Sequence, residues 1–146
     1  MPDFSRRSRG ILDTCHPDII AVCNELIITY DFSVLHGLRT AQEQFDRYCK
    51  GRRLEGNRWV VVDKRQIVTY MDGTNKRSYH NFTPSTAVDI APYPIDWKNK
   101  NRFHYMAGMF MGIAYRLRIQ GIIDSEFEWG GNWKRFKDLP HFQIKR

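Results

Sequence analysis

The sequence predicts an α+β domain, a small antiparallel sheet packed against about three helices. Segments 17–30 and 101–119 repeat apolar residues at helical spacing. The short runs Ala87–Ile90 and His141–Ile144 alternate apolar and polar residues. Helical and strand segments follow one another too irregularly for a doubly wound parallel sheet. With 146 residues, 42% hydrophobic and 14% aromatic, the chain fits one domain over 1–146 with a core of its own.

The first helix is expected over 17–30. Pro17 suits the first helical position, Asp18 suits the positive end of the dipole, and Ile19, Val22, Cys23, Leu26, Ile27 and Tyr30 share one face. Phe32–Leu35 reads as a short strand leading to Gly37-Leu38-Arg39. A second helix starts at Thr40, where Glu43 completes a capping box; it turns Phe45, Tyr48 and Cys49 inward and stops near Gly51. Segment 52–79 is expected to be a hairpin or lid insertion, with arms Trp59–Val62 and Ile67–Tyr70 and a turn at Asp72-Gly73. The third helix, 101–119, carries Met106, Met109, Phe110, Met111, Ile113 and Leu117 and is closed by Gly121; its breadth of apolar residues predicts the most buried helix.

Composition narrows the function classes. Lys and Arg number 23 against 16 Asp and Glu, a net charge of +7 that favours anionic partners without naming one. No apolar run approaches the roughly 20 residues of a membrane span. The stretch Met1–Gly10 has charge but no apolar run after it, so no secretory signal peptide is expected. Cys15, Cys23 and Cys49 form no CxxC pair and read as reduced thiols.

The chemistry concentrates in the two alternating strands. In Ala87–Ile90 the period of two sets Asp89 opposite Val88 and Ile90; in His141–Ile144 it sets His141 opposite Phe142 and Ile144. If both strands share one sheet, Asp89 and His141 can converge on its polar face. His80 lies nine residues before Asp89. Two imidazoles and a carboxylate are a zinc ligand set that leaves a position for water, although chance also assembles such triples.

The segments Ser78-Tyr79-His80, Ala87-Val88-Asp89 and Asp138-Leu139-Pro140-His141 resemble the zinc peptidases of the VanY / D-alanyl-D-alanine carboxypeptidase group, peptidase family M15. Within it they are most similar to the phage L-alanyl-D-glutamate endopeptidases that act as endolysins. Gly37-Leu38-Arg39-Thr40, Val68-Thr69 before Asp72-Gly73, and Trp129-Gly130-Gly131-Asn132-Trp133 extend the likeness from about Gly37 to Ile144. The interval from His80 to Asp89 is nine rather than the commoner seven, and Asn132 stands where related chains often have Asp.

The resemblance implies that His80, Asp89 and His141 hold Zn2+ and that Asp138 is the general base. It implies that Arg39 meets a substrate carboxylate or the developing oxyanion, where a guanidinium fork is suited. Ser78 is read as a substrate hydrogen-bonding residue, with a turn cap as the equal alternative. Trp129 and Trp133 are expected to pack, Glu128 to be a solvated charge, and His36 to stand behind the ligands at most. The implied activity is cleavage of the L-Ala–D-Glu bond of bacterial peptidoglycan. The implied setting is a phage lysis enzyme made in the host cytoplasm and released to the cell wall; a monomer is expected, and 146 residues leave no room for a separate wall-binding domain. The alternatives are a D-alanyl-D-alanine carboxypeptidase or dipeptidase and, in a different class, a basic nucleic-acid-binding module. The last lacks a clustered basic face or a binding motif in the sequence, so no nucleic-acid partner is expected.

Overall fold

A computed structural model describes residues 1–146. Helices α1 (Arg6–Leu12) and α2 (Pro17–Thr29) precede strand β1 (Phe32–His36) and helix α3 (Ala41–Tyr48). A hairpin of β2 (Arg52–Glu55) and β3 (Arg58–Val61) follows, then β4 (Ala87–Pro92), helix α4 (Lys100–Ile119), β5 (Phe127–Trp129) and β6 (His141–Ile144). The main sheet has the order β1-β4-β6-β5, and every pair in it is antiparallel. There are thus four helices where apolar spacing predicts about three, the additional one being α1. Its sequence, RRSRGIL, buries only Ser8 and Leu12 and shows no apolar period.

One core of 22 buried residues lies between the sheet and its helices. Val34, Val88, Ile90 and Phe142 enter it from the strands, and α2 contributes Ile19, Val22, Cys23, Leu26 and Ile27. Helix α4 inserts Phe103, Met106, Ala107, Phe110, Ala114 and Leu117, a single stripe at helical spacing. Its opposite face is open, with Tyr105, Tyr115 and Ile119 in solvent.

Two further expectations change. In α3 the buried residue is Gln44, while Phe45, Tyr48 and Cys49 are half-buried. Phe45 meets Trp59 of β3 edge-on, with ring centroids 5.6 Å apart. The hairpin of segment 52–79 pairs Arg52 with Val61 and turns at Gly56, so Ile67–Tyr70 is not its second arm. That stretch is held by Gln44, whose Nε2 donates to Thr69 Oγ1 at 3.2 Å and to the Met71 carbonyl at 2.9 Å. Arg52 Nη1 donates to the Thr69 carbonyl at 3.0 Å, so side chains stand in for a cross-strand ladder here.

Candidate metal centre and cleft

Asp89 and His141 are direct register partners between β4 and β6, as Val88 and Phe142 are. Side-chain alternation therefore sends Val88 and Phe142 into the core and Asp89 and His141 together off the opposite face. His80 arrives from the turn Tyr79–Asn81, which Ser78 caps by accepting from the His80 backbone N–H at 3.3 Å. The Arg39 N–H donates to the His80 carbonyl at 2.8 Å, and Asn81 Nδ2 donates to the Arg39 carbonyl at 2.8 Å. These bonds lock the turn to the segment that follows β1.

One donor atom each from His80, Asp89 and His141 lies within 4.8 Å of the others, and all three residues are buried. Asp89 Oδ1 is 3.0 Å from His141 Nδ1 and 3.4 Å from His80 Nε2, and the two ring nitrogens are 3.3 Å apart. His80 Nδ1 donates to the Gly37 carbonyl at 2.8 Å, and His141 Nε2 lies 2.7 Å from Gln143 Oε1. With both outer nitrogens facing acceptors, the inner nitrogens of the neutral rings have only lone pairs to turn on one another and on the Asp89 carboxylate. Three acceptors gathered in a buried site call for a shared proton or a cation. The donor set, two imidazoles and a carboxylate, fits a divalent transition-metal ion.

The local electrostatics agree with that fit. Burial alone would push the Asp89 carboxyl up, but where protons take the place of an ion between these groups, the His80 charge and hydrogen bonds from His141, His36 and His80 hold it well below the usual carboxylate range. Burial pulls His80 down despite the attraction of Asp89. Burial also opposes protonation of His141, but there the hydrogen bond and charge of Asp89 outweigh it and raise the group.

A cleft of about 610 Å³ opens over these three residues. Asp138 and Arg39 line it. Burial and then the Asp89 charge push the Asp138 carboxyl above its usual range. The backbone of Asp138 donates to the Gly130 carbonyl at 3.1 Å, and its own carbonyl accepts from the His141 N–H at 3.2 Å. Trp129 Nε1 donates to the Leu139 carbonyl at 2.7 Å, so the indole is a buried anchor for this loop. Trp133 is half-buried on the cleft wall, its ring 5.1 Å from that of His141. Arg39 is buried; its Nη1 donates to Gln44 Oε1 at 2.9 Å and its Nη2 lies 3.7 Å from Asp89 Oδ2. Ser78 reaches the cleft wall, but its hydroxyl is engaged as the turn cap. Segment 68–71 forms another part of the wall, where Tyr70 meets Phe136 edge-on with centroids 6.4 Å apart. A second cleft, of about 970 Å³, carries Arg6 and Arg7 and shares Leu35, His36, Arg39 and Arg47 with the first.

Sequence reasoning missed part of this assembly. A bulge between Val34 and His36 brings His36 opposite Asp89, with Nδ1 3.1 Å from Asp89 Oδ2. Arg47 Nη2 lies 3.1 Å from His36 Nε2. Gln143, buried beside His141, donates from Nε2 to Glu128 Oε2 at 2.9 Å, so Glu128 is not simply a solvated charge.

A family model described as D-alanyl-D-alanine carboxypeptidase, of the M15 peptidases, matches residues 72–144. Over 115 residues the chain is 36% identical to the peptidoglycan L-alanyl-D-glutamate endopeptidase CwlK of Bacillus subtilis (strain 168). That match takes in 78% of this chain but only 60% of the relative's length. Among solved structures, the L-Ala D-Glu endopeptidase ChiX of Serratia marcescens superposes with a TM-score of 0.68 at 25% identity, over 97% of this chain and 89% of that one.

Proposed function

The chain belongs to the M15 peptidase family, a metal-dependent group, and from that premise we propose that it is a zinc peptidase cleaving the L-Ala–D-Glu bond of the peptidoglycan stem peptide. The observation that carries the reading is the buried convergence of His80, Asp89 and His141 at the floor of a cleft that Asp138 and Arg39 also line. The choice of bond is supported by the endopeptidase names of both relatives.

His80, Asp89 and His141 would hold the zinc. When bound, such an ion acidifies water and polarises the scissile carbonyl. Asp138 takes the proton of the attacking water and returns it to the leaving amine, a role suited to a carboxyl whose basicity burial has raised. Arg39, fixed by Gln44, presents its remaining N–H groups to a substrate carboxylate or to the oxyanion. Ser78 serves by holding the His80 turn.

The test pairs elemental analysis with digestion of purified peptidoglycan. One zinc per chain, near none in His80→Ala and His141→Ala, and new amino-terminal D-glutamate in the digest are expected. Undigested wall in the presence of loaded protein would refute the reading. The family description favours a second reading, a D-alanyl-D-alanine carboxypeptidase. Mass spectrometry of the same digest separates the two, since that enzyme releases terminal alanine instead. The proposed setting is the cell wall, and the phage-lysis role rests on the endolysin-like motifs. Its test is expression with a pore-forming partner, which should lyse the host only when Asp138 is intact.

A further inference from the structure

Glu128, Gln143 and His141 form one directional chain across β5 and β6. Glu128 and Gln143 are register partners, and Gln143 and His141, two residues apart on one strand, share a face. The Gln143 Nε2 to Glu128 Oε2 distance is 2.9 Å, and the His141 Nε2 to Gln143 Oε1 distance is 2.7 Å.

Each link has only one polarity. An ionised carboxylate accepts and cannot donate, so Glu128 draws the NH2 end of the Gln143 amide toward itself. The amide oxygen must then face His141, and an amide oxygen only accepts. His141 therefore carries a hydrogen on Nε2 and turns the lone pair of Nδ1 toward Asp89 and His80. Turning the amide over would put its NH2 against Nε2, demand a hydrogen on Nδ1, and remove the donor atom from the site. His80 reaches the opposite choice of nitrogen through a fixed backbone carbonyl, that of Gly37. His141 has only a side-chain amide, which is reversible unless something holds it.

We infer that Glu128 and Gln143 are positioning residues that fix which ring nitrogen His141 offers to the metal, Glu128 acting through the orientation of the Gln143 amide. The inference rests on the zinc reading above. It concerns two residues outside the ligand set.

Glu128→Lys replaces the acceptor by a donor and should turn the Gln143 amide over. Adding Gln143→Glu to Glu128→Lys restores an acceptor that can face both the new ammonium and His141 Nε2. Two readouts apply: zinc affinity by competition with a chelator, and the imidazole nitrogen shifts of His141 in metal-free protein at a pH where the ring is neutral. Glu128→Lys is expected to weaken zinc binding about 10- to 100-fold, the usual range for groups that orient a metal ligand. It should also move the His141 hydrogen from Nε2 to Nδ1, and the double variant should recover both values. A fold-preserving Glu128→Lys that keeps the Nε2 hydrogen and wild-type affinity overturns the inference, as does a double variant no better than the single one. If the wild-type chain bound no zinc, the function proposed above would fail, while the imidazole shifts would still decide the orientation claim separately.

Discussion

His36 faces Asp89 because β1 carries an extra residue. Val34 pairs with Ile90, yet the next partner of Asp89 is His36 rather than Leu35. The bulge turns the imidazole from the core side to the polar side of the sheet, where Nδ1 lies 3.1 Å from Asp89 Oδ2. Arg47 can only donate, so His36 Nε2 accepts and Nδ1 carries the hydrogen given to Asp89. The Asp89 carboxylate is thus oriented from the side away from His80 and His141.

Replacing His36 should therefore loosen the metal rather than the fold. Its side chain is 43% exposed, so His36→Ala is expected to change the melting temperature little. Zinc affinity should fall about 10-fold, and His36→Gln, which can still donate to Asp89, should regain part of it. Chelator competition on the three proteins checks this.

Asp138→Asn should separate catalysis from stability. Turnover is expected to drop about 10²- to 10⁴-fold with zinc content unchanged, since only the proton acceptor is lost. The folded-state affinity of Asp138 for its proton is raised by burial and by Asp89. A carboxyl raised in this way favours the folded state while protonated, and that contribution is lost as pH rises through its folded value. In metal-free protein Asp138→Asn should thus melt above the wild type near neutrality, the gap closing as both are acidified. Thermal melts across that pH series decide it.

The contrast between these residues shows what the sequence makes legible. Helices α2 and α4 declare themselves through apolar spacing and end signals, and Thr40 with Glu43 forms the capping box that their types suggest. The period of two suffices to put Asp89 and His141 on one face once the strands pair. It fails for His36, because a bulge reverses the phase that alternation assumes. Gln143 and Glu128 are ordinary polar residues of short strands, and only the pairing of β5 with β6, itself invisible in a three-residue strand, gives them meaning. Ile67–Tyr70 looks like a strand because its residues favour one, yet Gln44 holds the Thr69 hydroxyl and Arg52 Nη1 donates to the Thr69 carbonyl in place of a partner strand.

Gly130→Ala should damage the centre from outside it. A Cβ on Gly130 would stand 2.4 Å from the Asp138 carbonyl oxygen and 3.1 Å from the Cβ atoms of both Asp138 and His141. The first contact is with backbone, so the 138–141 segment has to shift. Overpacking of this kind costs roughly 1–3 kcal/mol. The variant should lose both melting temperature and turnover, whereas Gly108→Ala, with open space around it, should lose neither. Parallel thermal melts and digestion assays compare the pair.

Metal removal should destabilise the chain, because a buried ligand cluster couples binding to folding. Zinc that binds only the folded chain stabilises it by an amount set by free concentration over Kd, about 2.7 kcal/mol at a hundredfold excess. For a chain of this size that corresponds to a melting shift of roughly 5–10 °C. A chelator should therefore lower the melting temperature of the wild type by that order, and added zinc should restore it. His80→Ala removes one donor, and the metal-free variant should be indifferent to both treatments. Its own stability does not serve as the measure, since it also loses the bond to the Gly37 carbonyl. The decisive quantity is the difference made by zinc within each protein: a wild-type chain whose melting ignores both chelator and zinc would remove the reason for gathering two imidazoles and a carboxylate in one buried place.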